Sequence, residues 1–267
     1  MRTGVVVPTL GQRPEFLLQA IESIRTNPMV FICLVGPESI DRQNFKGSVD
    51  LFVNDPGRGL PAAINLGISS LPQSVEFVTW LGDDDLLAEN ALDLSIQHMV
   101  DNKDVSLVFG SCRYIDESSK QVWMNKSGQW AAKIIRFGPF LTPQPGSLIR
   151  RTAFEQVGGL DENLGWAFDL DLFIKLSQVG KMKFINIVLS SFRWHEGSLS
   201  VGFRRQSVLE GSSIRKKQLP YLVRVFSEIW EFPVRFLTLH APLYTGIRNK
   251  RLRDDQTGTV IVHSSKS

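Results

Sequence analysis

Three consecutive carboxylates, Asp83, Asp84 and Asp85, follow an apolar run at residues 77–81 and a single glycine, Gly82. Like charges this close repel one another unless a cation sits among them, and hard oxygen ligands suit Mg²⁺ or Mn²⁺. Such an ion would in turn hold a diphosphate. The plainer reading is a solvated acidic turn whose carboxylates suit the start of the next helix. Gly57-Arg58-Gly59 leads into another helical segment. Glycines let backbone approach a phosphate and a helix N-terminus attracts anions, but a tight turn needs the same residues. Gln144-Pro145-Gly146-Ser147 precedes a short apolar run, where Gly146 would let a ligand come close; alone it is only a turn. Asp169-Leu170-Asp171 opens an apolar helix. Residues two apart do not share a helix face, so one carboxylate can meet a cleft while the other caps or pairs. An ordinary N-cap is the simpler alternative. Finally, His195 in Arg193-Trp194-His195-Glu196-Gly197-Ser198 could be a metal ligand, a base or merely structural. Residues 197–202 read as a loop able to close over a site, with Arg204 and Arg205 just beyond.

These groups need elements to hold them. Val5-Val6-Val7 is a short β-branched run ended by Pro8 and reads as a buried strand. Pro14 opens a helix with Phe16, Leu17, Ala20, Ile21 and Ile24 at helical spacing. Residues 31–35, 51–53, 77–81 and 106–109 read as further strands. Residues 60–69 read as a helix, as does a segment carrying Leu92, Ile96, Met99 and Val100 on one side. Strands alternating with helices predict a mostly parallel sheet covered on both faces. In such sheets ligands bind beyond the carboxyl ends of the strands. That rule lines up Thr9, Gly36, residues 55–58 and residues 83–85 along one edge. The second half is less regular: a hairpin at 113–124, helices at 129–136 and 169–178, a strand at 146–149 running into a helix ended by Gly158-Gly159, and β-like residues 185–194 broken near Ser190. Helix is expected after residue 203, and the last fifteen or so residues are polar enough to be disordered.

The bulk properties bound the function classes. A chain of 267 residues holds one α/β domain and an appendage. A net charge of +3 gives no electrostatic case for a nucleic-acid partner. The basic excess gathers late, at Lys216, Lys217, Arg224, Arg235, Arg248, Lys250, Arg251 and Arg253. Beside Phe226, Trp230, Phe232 and Phe236 it suits an interfacial helix at a membrane surface. A helix packed on the domain or on a second copy explains the same residues. Cys33 and Cys112 read as buried thiols rather than a disulfide or zinc site. With no leader pattern and no apolar stretch of spanning length, a cytoplasmic chain is expected, with peripheral contact at the inner face of the membrane.

Taken in order, the motifs resemble the family 2 glycosyltransferases of GT-A fold. The resemblance rests on Val-Val-Val-Pro-Thr at 5–9 with Arg13-Pro14-Glu15, on Gly59-Leu60-Pro61-Ala62-Ala63-Ile64-Asn65-Leu66-Gly67-Ile68, and on Trp80-Leu81-Gly82-Asp83-Asp84-Asp85. It continues through Gln144-Pro145-Gly146-Ser147-Leu148-Ile149-Arg150-Arg151, Gly158-Gly159-Leu160-Asp161-Glu162, Asp169-Leu170-Asp171-Leu172 and Phe192-Arg193-Trp194-His195, covering residues 3 to 205. It implies an α/β fold with a mostly parallel central sheet flanked by helices: a GT-A domain at 1–205, a C-terminal helical extension at 206–252 and a tail at 253–267. It further implies that Pro8, Thr9, Arg13, Arg58, Asn65, Asp83 and Arg204 bind the nucleotide sugar. Asp84, Asp85 and His195 would take a divalent metal, Mn²⁺ or Mg²⁺. Asp169 would be the general base, with Gln144, Gly146 and Asp171 on the acceptor or sugar side. The implied reaction is inverting transfer from a UDP- or dTDP-linked sugar to a hydroxyl acceptor, a glycan that can be lipid-linked, in cell-surface polysaccharide or glycoconjugate synthesis; a homodimer is compatible with it. Where many relatives carry an acidic residue after the second strand, this chain has Val35-Gly36-Pro37 and then Glu38. The alternatives are a sugar nucleotidyltransferase, which usually has a glycine-rich loop with a basic residue after its first strand, and a non-catalytic binding protein of the same fold.

Overall fold

The computed structural model describes residues 3–27, 29–194, 204–219, 221–227 and 229–236. The chain runs β1 (Thr3–Pro8), α1 (Pro14–Arg25), β2 (Val30–Gly36), a 3₁₀ turn (Arg42–Phe45), β3 (Leu51–Asn54), α2 (Leu60–Ser69), β4 (Phe77–Trp80), β5 (Leu86–Leu87) and α3 (Ala91–Asp101). It continues through β6 (Val105–Ile115), β7 (Gln121–Asn125), α4 (Gly128–Ile134), β8 (Leu148–Arg150), α5 (Arg151–Gln156), α6 (Phe168–Val179), β9 (Lys181–Arg193), α7 (Arg204–Lys217) and α8 (Tyr221–Val225).

Most of this order follows from patterning. β1 is buried along its whole length because helices cover both faces of the sheet. Val5 and Val7 join α1 and α3 on one side, while Val6 joins α2 and α6 on the other. α1 starts at Pro14 and buries Leu17, Ala20, Ile21 and Ile24. Phe16, expected in that stripe, lies beside it and carries the Arg193 guanidinium 4.2 Å above its ring. α3 buries Leu92 and Met99, whereas Val100 is exposed.

The strand order is β3-β2-β1-β4-β8-β6-β9-β5, with β7 beside β6. The first four of these strands are mutually parallel, as the alternation requires. Beyond β4 the sheet is mixed: β8 runs against both β4 and β6, while β6 and β9 are parallel. β6 joins the expected strand at 106–109 to the first arm of the expected hairpin, and β7 is the second arm. The expected break near Ser190 is a local register shift instead. Ser111 pairs with Val188 and Cys112 with Ser190, which leaves Leu189 as an extra residue. Just past this bulge β9 pairs with β5, which follows directly on Asp85. β5, only two residues long, is too short to show a pattern in sequence.

Both cysteines are buried and free, and burial pushes each thiol up to about 12. α7 lies on α6, where Ile214 is buried. Its buried Arg215 makes a two-pronged ion pair with buried Glu231, at 2.6 and 2.9 Å. That pair ties residues 229–236 to α7. No described helix is long and apolar enough to cross a membrane.

Candidate active site

The loops after β1, β3 and β4 open onto one cleft of about 570 Å³, at the carboxyl ends of the parallel strands. Pro8, Thr9, Arg13, Asp55, Gly57, Gly59 and Asp83, Asp84 and Asp85 line it. The Thr9 hydroxyl donates to Asp83 Oδ2 at 2.5 Å and accepts the Gly11 N–H at 2.9 Å. Arg13 reaches across to Asp84 Oδ2 at 3.1 Å. Gly59, the residue before α2, has φ +98 and ψ 168, a region essentially reserved for glycine. This turn brings the N-terminal end of α2 to the cleft, where a phosphate would be welcome. Asp55, after β3, lines the cleft and accepts the Gly57 N–H at 2.9 Å; Glu38 lies outside the cleft and accepts from the Asn54 amide.

The three aspartates have different surroundings. Asp83 and Asp84 are half-buried, whereas Asp85 is buried and accepts the Arg193 backbone N–H at 3.0 Å. Burial pushes the Asp85 carboxyl well above the usual range, and the Asp84 charge adds to it; the Arg193 N–H pulls the other way. Arg193 itself is wholly buried at the end of β9. Its Nε donates to the Asp84 carbonyl at 2.9 Å and its Nη2 to Gln19 Oε1 at 2.8 Å. Its Nη1 donates to the Asp116 and Glu117 carbonyls and to Ser119 Oγ. One cation thus joins the acidic turn, α1 and the β6–β7 turn. The motif reading named Arg193 but gave it no role; β9 also carries Lys181 and Lys183, so its composition alone does not mark the buried cation.

Among the described residues no group of three His, Cys, Asp or Glu side chains is arranged to hold a metal ion. What the chain offers is crowded negative charge. Two carboxylates face the cleft above a buried third whose ionisation they oppose. This fits a cation that takes only part of its coordination from protein.

A second cavity of about 500 Å³ adjoins the first, and both are lined by Asp85, Gln144, Trp166, Asp169 and Phe192. Its walls are largely apolar and aromatic: Tyr114 lies 5.3 Å from Phe192 and 6.0 Å from Trp194 between ring centres. Phe140 and Leu141 close one side, and Val208 and Gly211 of α7 another. Asp169, in the first turn of α6, stands where the two cavities join. Loss of water around it pushes its pKa up to about 6, against the pull of the Leu170 N–H on Oδ1 and with a small push from the Glu210 charge. It is a carboxylate ionised at neutral pH and basic enough to take a proton.

Glu210 is the other residue the sequence did not single out. From α7 its carboxylate accepts the N–H groups of Gly165, Trp166 and Ala167 at 3.0, 2.8 and 2.6 Å. α6 has no side-chain cap of its own; from another helix Glu210 holds the turn that leads into it and brings negative charge to its N-terminal end.

Several expected site residues are placed elsewhere. Arg58 is exposed and paired with Glu162 at 3.0 Å, outside the cleft lined by its glycine neighbours. Asn65 is taken up by backbone: its amide donates to the Leu160 carbonyl and accepts the Leu160 N–H, pinning α2 to the turn after α5. Gly146, at φ +79, faces protein rather than ligand, since a Cβ there would lie 2.9 Å from Leu189 Cβ and 3.0 Å from Ser190 Cβ. Gln144 does reach both cavities, its amide donating to the Trp80 carbonyl. Asp171 pairs with Lys175 at 2.6 Å and lines neither cavity, the division between Asp169 and Asp171 that helical spacing allowed. His195 and the side chain of Arg204 lie outside the described residues.

An uncharacterized glycosyltransferase of Rickettsia typhi is 28% identical over 209 residues, covering 72% of this chain and 64% of that protein. One from Rickettsia prowazekii is 30% identical over 146 residues, 51% of this chain and 45% of its own length. The chain therefore spans about half to two thirds of these curated relatives. Among solved structures, S. aureus TarS 1–349 in complex with UDP-GlcNAc superposes with a TM-score of 0.65 at 13% identity, over 89% of this chain and 73% of that one. The mannosyltransferase PcManGT of Pyrobaculum calidifontis, in complex with GDP-Man and Mn²⁺, gives 0.62 at 14% identity over 96% and 79%. At such identities the likeness establishes the fold, which is of GT-A type. Residues 46–226 match the model of the family described as glycosyltransferase like family 2, and the chain belongs to that family.

Proposed function

We propose that this protein moves a glycosyl group from a nucleoside-diphosphate sugar to an acceptor hydroxyl, inverting the anomeric carbon. The observation that carries the reading is Asp169 at the join of two cavities, one acidic and edged by a helix N-terminus, the other aromatic. The first suits the donor: Thr9 and Arg13 with Asp83 and Asp55 for the nucleotide, and the Gly57–Gly59 turn for the diphosphate. The second suits an acceptor sugar, since aromatic walls set among polar side chains such as Asn125, Gln144 and Asp169 orient such a ligand. The acceptor O–H loses its proton to the Asp169 carboxylate as its oxygen bonds to the anomeric carbon. The bond from that carbon to the diphosphate oxygen breaks on the opposite face, and its electron pair leaves with the nucleoside diphosphate. No enzyme nucleophile intervenes, so one displacement inverts the centre.

Asp84, with Asp83 beside it, would hold a divalent cation, Mn²⁺ or Mg²⁺, which supplies neutralising charge to the departing diphosphate. The complexes of TarS with UDP-GlcNAc and of PcManGT with GDP-Man and Mn²⁺ support this reading of the cleft. A UDP- or dTDP-linked donor, a glycan acceptor in cell-surface polymer synthesis and a cytoplasmic setting complete the proposal. Two measurements test it. A thermal-shift screen of nucleotide sugars, with and without Mn²⁺, should pick out one donor class. Slow release of free nucleoside diphosphate from that donor should follow. A protein that binds the donor but never releases nucleoside diphosphate would be a binding module instead.

A further inference from the structure

The end of the described chain is turned the wrong way round for a water-facing helix. Across residues 226–236, Ser227 and Glu231 are buried, while Phe226, Ile229 and Phe232 are 61%, 73% and 66% exposed, with Phe236 also exposed. Ile229, Phe232 and Phe236 follow i, i+3, i+7 spacing, which puts them on one helical face. Ser227, Glu231 and Trp230, whose ring centre lies 6.5 Å from that of Phe137, anchor the segment, while Phe226, Ile229, Phe232 and Phe236 are the exposed apolar residues. A cluster of exposed large apolar side chains marks a surface that something covers.

Charge decides what covers it. Residues 204–236 carry seven Lys or Arg against three Glu. Glu210 is engaged by the backbone of the turn before α6 and Glu231 by Arg215, which leaves six basic residues against Glu228. A second copy would bring the same positive field against this one. Residues 237–267 would do so too, with five Lys or Arg against two Asp. An anionic surface with an apolar interior complements both features.

We infer that residues 223–236 seat the protein on an anionic lipid bilayer, with the aromatic side chains entering the headgroup boundary and Lys217 and Arg224 above it. The surface also connects to the site. Arg215 lines the second cavity and is bonded to Glu231 on the docking segment, so the acceptor cavity is held close to the membrane. That last point rests on the acceptor reading above; the docking does not.

The test is sedimentation of the full chain with vesicles of phosphatidylcholine alone and of phosphatidylcholine with phosphatidylglycerol, at low and high salt. Binding should favour the anionic vesicles at least tenfold and weaken with salt. Lys217→Glu with Arg224→Glu should weaken it by more than about 25-fold, taking roughly fivefold per basic residue. Phe226→Ser, Ile229→Ser and Phe232→Ser together should abolish it. In both variants the rate of donor hydrolysis without vesicles should be unchanged, and this separates a failed docking from a failed transferase reading. If circular dichroism shows the triple variant unfolded, the charge variant still decides. Absence of vesicle binding, or equal binding to neutral and anionic vesicles, would overturn the inference. A dimer in analytical ultracentrifugation that the triple variant dissociates would assign the face to a second copy instead.

Discussion

The two cavities that meet at Asp169 are built by different means. The acidic edge of the first cleft is assembled from three loops that follow parallel strands, residues 8–13 after β1, 55–59 after β3 and 82–85 after β4, and Gln144, Trp166, Phe168, Asp169 and Phe192 close its far side. The aromatic cavity draws Tyr114 from β6, Phe140 and Leu141 from a loop, Trp166 from the turn before α6, Phe192 and Trp194 from the end of β9, and Val208 from α7. One is a property of the sheet edge. The other exists only once distant segments have packed. On the proposed reading, the sheet edge suits the charged diphosphate shared by all donors and the assembled wall suits the part of the substrate that varies.

The sharpest way to break this contrast is at the shared residue. Asp169→Asn should cut transfer by about 10²–10⁴-fold, the usual worth of a general base, while donor binding survives. In the parent protein the rate should fall as pH drops through about 6, where Asp169 takes up its proton. The stability effect has the opposite sense. A carboxyl whose pKa is raised in the folded state opposes folding when ionised. That cost is full above about pH 6 and vanishes below about pH 4. Asp169→Asn should therefore be the more stable protein at pH 8, by no more than about 3 kcal/mol and less where solvent reaches the carboxylate. Denaturant titrations at pH 8 and pH 4 check this, and an equal difference at both would remove desolvation as the cause.

Next in size is the donor side. Asp84→Ala should lose the Mn²⁺ dependence of donor binding while leaving the aromatic cavity intact. An unchanged Mn²⁺ titration would take Asp84 out of the metal site. Arg193→Met tests whether the acidic turn needs its buried brace. Removing a cation that serves five acceptors should cost on the order of 3 kcal/mol in a denaturant melt and weaken donor binding along with it. Loss of stability with donor affinity intact would make Arg193 a core residue only.

Smaller effects belong to the assembled wall. Glu210→Gln should cost about 1 kcal/mol as a weakened hold on the turn before α6 and move the acidic limb of the pH–rate profile to lower pH, because one charge that raises Asp169 is gone. A stability loss with no movement of that limb would restrict Glu210 to holding that turn. Trp194→Ala should raise the acceptor KM up to about tenfold and leave donor hydrolysis untouched. An equal effect on both would merge the two cavities into one site.

Much of the donor cleft was legible because strand-then-turn punctuation is local. Val5-Val6-Val7 before Pro8, and the apolar run before Gly82, identify strands whose carboxyl ends must share an edge. Asp169 was singled out by the motif order; its place at the start of an apolar helix reads equally as an N-cap. Arg58 and Asn65 line neither cavity for one reason: a motif places a residue on an element, but its partner, Glu162 for one and the Leu160 backbone for the other, lies about a hundred residues away. Gly146 was expected to make room for a ligand and instead makes room for β9.

The parallel strands β1 to β4, the helices that cover them and the acidic edge they present were readable from the amino-acid order. These depend on periodicity of two and 3.6 residues and on turn chemistry, all readable within a dozen positions. Tertiary structure alone decided the mixed second half of the sheet, the aromatic cavity, the buried brace of Arg193 and the hold that Glu210 takes on the turn before α6. Each of these is a contact between segments whose separation along the chain carries no periodic signal. Their energy comes from desolvation and hydrogen bonding that exist only in the packed molecule.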